Sequence, residues 1–182
     1  MEKEIKGRMI LPRNTIYKVN EVPNGYKISS FSEQYKEEWI SLFTNLHIFS
    51  KEECEKMIQN NRQTFKDYCV LVLYENKVVA SSGLLKDEKG RLYLAYIGVD
   101  ENHQGKQIGS YLVTKVSYVY STIPSKYPLY APVSSLFLRE IMLLSRMDYL
   151  PFMGELNGKS EEDSKEDWRI ITEMLKERSL KS

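Results

Sequence analysis

The stretch Leu92-Tyr93-Leu94-Ala95-Tyr96-Ile97-Gly98-Val99 is apolar on both faces of an extended chain. A strand of that kind sits centrally in a sheet and is covered from both sides. Two more strand-like runs precede it, residues 68–74 and 78–85, joined through Glu75-Asn76-Lys77. Asp87 to Gly90 is the next turn, so the three runs predict an antiparallel meander. Tyr26 to Phe31 alternates and predicts an earlier strand.

Helical spacing fills the intervals. One helix starts near Ser32 and turns Trp39, Ile40, Phe43 and Leu46 to one side. A second starts at Ser50, where Ser50 and Glu53 form a capping box, and its stripe continues through Cys54, Met57, Ile58 and Phe65. A third runs from near Gln107 with Ile108, Leu112, Val116 and Val119 on one face, and Pro124 ends it. Residues 127–133 then read as a strand, 136–147 as a helix apolar nearly all round and hence buried, and 149–156 as a final strand. In the tail, Ser164 with Asp167 suggests a cap, and Trp168, Ile171 and Leu175 form a stripe that docks on the domain or binds a partner.

The predicted order is β-α-α-β-β-β-α-β-α-β. It defines an α/β (α+β) fold with a mixed, mostly antiparallel central sheet and helices on both faces. At 182 residues the chain suits one domain with small extensions. These are an N-terminal arm over 1–25, the domain over 26–156, and a helical tail over 157–182.

Several classes of function are disfavoured. Lys plus Arg number 26 and Asp plus Glu 25, so the net charge of +1 gives no footprint for nucleic acid. Cys54 and Cys69 form no disulfide framework; with only His47 and His103 beside them, no metal-ligand spacing exists and no metal is expected. Cys54 reads as a core thiol. No apolar leader opens the chain and no apolar stretch approaches the roughly 20 residues that cross a bilayer. A cytoplasmic protein without membrane contact and with reduced thiols is expected.

The chemistry concentrates after the central strand. Val99 leads into Asp100-Glu101-Asn102-His103-Gln104-Gly105-Lys106-Gln107-Ile108-Gly109-Ser110, which opens a helix. The first amides of a helix lack intrahelical partners and point along the positive end of its dipole. Glycines let an anion approach that backbone closely, and Lys106 adds positive charge.

Gln104-Gly105-Lys106-Gln107-Ile108-Gly109, with the strand before it and the helix after it, resembles the Gln/Arg-x-x-Gly-x-Gly/Ala motif of the GNAT superfamily of acyl-CoA N-acyltransferases. The resemblance covers about residues 26–156. Val22 to Tyr26 looks like the family's approach to its first strand, and Leu143 to Pro151 like its late helix and Tyr-x-x-x-Gly-Phe ending. The resemblance implies acetyl-CoA as co-substrate, with its pyrophosphate on the amides of Gln104, Gly105, Lys106, Gln107, Ile108, Gly109 and Ser110. The pantetheine arm would pair along Ile97, Gly98 and Val99, in a slot where that strand splays from residues 127–133. A primary amine, on a small molecule or a peptide, would attack the thioester directly. Backbone amides near Val99 would polarise the carbonyl. A homodimer is compatible with the family.

Three departures stand out. Gln107 occupies the position of the first motif glycine; if the backbone there has positive φ, glutamine costs about 1 kcal/mol. Leu144 stands where many members carry a tyrosine that protonates the leaving thiolate, and Asp148-Tyr149 replaces Gly-Phe. Other hydroxyls that could donate are Tyr96, Tyr130 and Ser134, with Ser135 beside it. The central strand holds no carboxylate base, and His103 reads as a base or as a loop histidine near the CoA phosphates. A non-catalytic module that binds an acyl-CoA or another protein is the alternative. A nucleotide P-loop is the weaker rival: Gly154 to Ser160 has three residues between its glycines where four are required.

Overall fold

The computed structural model describes residues 3–13, 15 and 18–181. Among these, seven strands and six α-helices follow one another as β1 (Lys6–Leu11), β2 (Tyr26–Ser30), α1 (Lys36–Asn45), α2 (Lys51–Asn60), α3 (Arg62–Tyr68), β3 (Cys69–Tyr74), β4 (Lys77–Lys86), β5 (Leu92–Val99), α4 (Ile108–Ser121), β6 (Leu129–Ser134), α5 (Leu138–Arg146), β7 (Leu150–Pro151) and α6 (Glu161–Lys181). Short 3-10 turns cover Glu33–Tyr35 and Glu101–His103. The expected mixture of antiparallel sheet and helices is present, distributed over two compact units: Ile16–Ser125, and Met1–Thr15 with Lys126–Ser182.

The first unit holds a four-stranded antiparallel sheet in the order β2-β3-β4-β5. Strand alternation sorts its side chains onto two cores. Leu71 and Leu73 join Trp39, Phe43, Ile58 and Phe65 from α1 to α3, whereas Val72, Val79 and Ala80 join Ile108, Tyr111 and Leu112 of α4. β3 and β4 are connected by a two-residue turn in which Glu75 and Asn76 both have positive φ, 51° and 67°. Such turns match the right-handed twist of the strands they join. The Ser50–Glu53 capping box is formed reciprocally, with both bonds at 3.1 Å. The predicted second helix is broken at Asn61 into α2 and α3, because the Asn61 backbone leaves helical geometry at φ −136°. A bulge opposite Gly83 and Leu84 leaves Ala95 of β5 without a cross-strand partner.

The second unit is built on a three-stranded sheet in the order β6-β1-β7. Here the sequence expectation is corrected: residues 6–11 are not part of an irregular arm but form the middle strand, antiparallel to both neighbours. Met9 and Leu11 are buried and Arg8 and Ile10 only half-buried, an alternation too short to stand out. The final strand is likewise shorter than 149–156, covering only Leu150–Pro151, with a separate bridge between Leu156 and Lys159. α5 is one-sided rather than buried all round: Ile141 and Leu144 are buried, while Arg139, Ser145 and Arg146 are exposed. The cap of α6 lies one turn before the expected Ser164. The Ser160 hydroxyl accepts from the Asp163 amide at 3.1 Å, and Ser164 is buried inside the helix. α6 packs on β1 through Trp168, whose indole nitrogen donates to the Phe152 carbonyl at 3.1 Å.

Candidate active site

β5, expected at the centre of a sheet, is instead an edge strand: it has β4 on one side and, among the described residues, no strand of that sheet on the other. The chain then turns through a pinned connection. The Asp100 amide donates to the Val79 carbonyl at 2.8 Å, and the Asp100 carboxylate accepts from the Asn102 amide at 2.9 Å. The Gln104 side-chain amide returns to the Val99 carbonyl at 3.1 Å. These bonds fix where the following loop starts relative to the strand end.

Gly105 (φ 77°) and Gln107 (φ 64°) both lie in the left-handed region. Gly105 is required for that backbone geometry and not for space, since a Cβ there would meet nothing within 4 Å. Left-handed residues in a turn can line up successive backbone amides into a concavity suited to an anion. The first helical bond of α4 runs from the Tyr111 amide to the Gln107 carbonyl at 3.1 Å, so the Ile108, Gly109 and Ser110 amides precede the ladder. Gln104, Gly105, Lys106 and Gln107 are exposed, while Ile108 is buried as the anchor of the helix. The predicted phosphate-loop residues therefore come together as one exposed, amide-rich turn with Lys106 on it. Ile97 and Gly98 lie behind it on β5. A Cβ on Gly98 would come within 2.8 Å of the Phe43 ring, so α1 approaches the strand closely there.

The proton-donor candidates are placed differently. Tyr96 is 3% exposed and ringed by Trp39, Phe43 and Phe65 at centroid distances of 5.3, 5.6 and 5.6 Å. Its hydroxyl projects over Gly83, where any Cβ would collide with it. Burial, and then the neighbouring Cys69, push this phenol well above its usual range. Tyr96, named from the sequence as a hydroxyl that could donate, is thus a core residue. In the other unit, Tyr130 is largely buried with the Arg8 guanidinium 3.9 Å from its ring centroid. The Ser134 hydroxyl donates to Glu4 at 2.7 Å and accepts from the Leu136 amide at 3.1 Å, so it anchors the start of the chain. Leu144, at the family tyrosine position, is fully buried.

Two contributors escaped the sequence reading. One is the Asp100 turn, signalled by an Asp two residues before Asn102. The other is the bond of 2.7 Å between the Tyr26 hydroxyl and His103 Nδ1, which joins residues 77 positions apart and has no local signature. Among the described residues no three His, Cys, Asp or Glu side chains gather as a metal site, and no helix is long and apolar enough to cross a membrane.

An edge strand running into an exposed turn with left-handed residues at a helix start is the arrangement this α/β domain presents. Residues 29–119 match the acetyltransferase (GNAT) family, and this chain belongs to it. The activity of that family is acyl transfer from an acyl-CoA. Among solved structures, the chain is similar to a GNAT-family acetyltransferase from Colwellia psychrerythraea, with 8% identity, a TM-score of 0.63, and coverage of 82% of this chain and 54% of that one. It is also similar to a tandem GNAT protein from the clavulanic acid biosynthesis pathway, with 13% identity, a TM-score of 0.62, and coverage of 81% and 50%. A GCN5-related N-acetyltransferase from Sphaerobacter thermophilus shares 17% identity at a TM-score of 0.57, with coverage of 72% and 42%. At these identities the likeness is one of fold, and this chain spans about half the length of those it matches. No curated protein is similar enough to serve as a relative.

Proposed function

We propose that this protein transfers an acetyl group from acetyl-CoA to a primary amine. The observation that carries the reading is the 104–109 turn, where Gly105 and Gln107 hold left-handed geometry at the start of α4 and at the free end of β5. The exposed amides of that turn, with Lys106, would hold the pyrophosphate. The outer edge of Ile97 to Val99 would align the pantetheine arm, and an amide near Val99 would polarise the thioester carbonyl.

In the reaction the amine nitrogen bonds to the carbonyl carbon, the C–S bond breaks, and the CoA thiolate leaves with the electron pair. The ammonium proton passes to water. A thiolate is a good enough leaving group to depart without a general acid, which suits a chain whose Tyr96 and Leu144 are both in the core. The acceptor is a small molecule or a peptide amine. A cytoplasmic location and a homodimer belong to the same reading.

The same burial of Tyr96 and Leu144 favours a second reading, a non-catalytic acyl-CoA-binding or protein-interaction module. Calorimetric titration with acetyl-CoA, CoA and ATP, followed by thiol release with a panel of amines, separates the two. Micromolar acetyl-CoA binding with turnover supports the enzyme. Binding with no turnover supports the module. An absence of binding to either CoA form overturns both uses of the loop.

A further inference from the structure

We infer that Tyr26 and His103 form a clamp that holds the 104–109 turn in its anion-binding shape, with His103 as a positioning residue. The inference rests on the acyl-CoA reading for its function, but its structural half stands on the free protein.

Three contacts fix the His103 ring. The Tyr26 hydroxyl lies 2.7 Å from Nδ1. The Tyr26 ring meets the imidazole edge-on at 5.6 Å, and the Tyr74 ring meets it tilted at 4.9 Å. The two tyrosines face each other across β2 and β3 in register, with centroids 5.2 Å apart. His103 is therefore seated on the sheet by a pair of strands distant in sequence, immediately before Gln104. On the far side of the turn, Ile108 shares a buried cluster with Tyr26. Tyr26 thus bonds the residue just before the turn and belongs to the buried cluster that takes in Ile108 just after it.

This matters because the turn between those ends is exposed and strained at Gln107. A short exposed segment with a residue in an unfavourable conformation relaxes unless its ends are constrained. Holding the ends in place before the ligand arrives removes the ordering cost from the binding step.

The test uses the full chain and three variants. Tyr26→Phe deletes the hydroxyl and keeps the ring. His103→Ala deletes the partner. His103→Asn keeps a hydrogen-bonding side chain, because its amide group takes the place of the Nδ1 edge of the ring. Amide hydrogen exchange is measured at residues 104–110 in the free protein, and CoA affinity by calorimetry. The expected result is faster exchange at these amides in Tyr26→Phe and His103→Ala, with CoA affinity falling about five- to tenfold and the thermal midpoint little changed. His103→Asn should restore protection and affinity to near the parent level. Unchanged exchange in Tyr26→Phe and His103→Ala overturns the clamp, as does a His103→Asn variant no better than His103→Ala. If the parent protein fails to bind CoA while the variants still loosen the turn, the clamp stands and the acyl-CoA reading falls.

Discussion

Trp168 of α6 lies over Gly7 of β1, where an added Cβ would sit 3.5 Å from the indole ring. The C-terminal helix is thereby seated on the middle strand of the β6-β1-β7 sheet, and the indole N–H donates to the Phe152 carbonyl just beyond β7. One side chain touches the N-terminal strand and the segment that follows its partner strand.

Replacing Trp168 by Ala should therefore cost about 3–5 kcal/mol, the usual range for deleting a buried large aromatic. Urea denaturation followed by circular dichroism checks it. A loss below about 1 kcal/mol would mean that α6 adds little to this unit.

Gln107 and Asp148 both hold positive φ, 64° and 71°. Asp148 is the left-handed residue of a Schellman ending on α5: its amide donates to the Ser145 carbonyl at 3.2 Å, and the Tyr149 amide to Leu144 at 3.0 Å. Gln107→Gly and Asp148→Gly should each stabilise the fold by about 1 kcal/mol. Gln107→Gly should also leave CoA affinity equal or better. A clear loss of CoA binding in that folded variant would make the glutamine side chain a ligand. Thermal melts and calorimetry on the two variants decide it.

Cys69 is 4% exposed, and burial is the main cause that pushes its thiol up from 9.0 to about 11. The folded state prefers the protonated thiol, so this contribution to stability is complete below about pH 9 and is lost as pH rises towards 11. Disulfide reagents at pH 8 should leave Cys69 unmodified until denaturant is added. Rapid labelling of the native protein would contradict its burial. Urea midpoints should fall between pH 9 and 11.

Glu140 sits half-buried on α5, and burial raises its carboxyl from 4.5 to about 7. Its ionisation is easier in the unfolded chain, so stability is complete below pH 4.5 and declines as pH rises to 7. Glu140→Gln should raise Tm by about 2–4 °C at pH 8 and leave it unchanged near pH 4. An equal shift at both pH values would assign the effect to packing.

The sequence by itself determined the elements whose signals are local. The β3–β4 turn follows from Glu75-Asn76, the α2 start from Ser50 and Glu53, and the two-faced cover of β5 from its unbroken apolar run. A turn at residues 104–107 before α4 was legible for the same reason, since glycine spacing at a helix start acts within a few residues. Only the tertiary structure decided the rest. Lys6–Leu11 became a central strand because β6 and β7, more than 100 residues later, offer it two edges. Tyr96 became a core residue because α1 and α3 bring Trp39, Phe43 and Phe65 around it. His103 met Tyr26 because β2 ends up beside that turn. Local pattern fixes what a segment can be, but pairing and burial depend on which distant surfaces meet, and no window along the chain contains both partners.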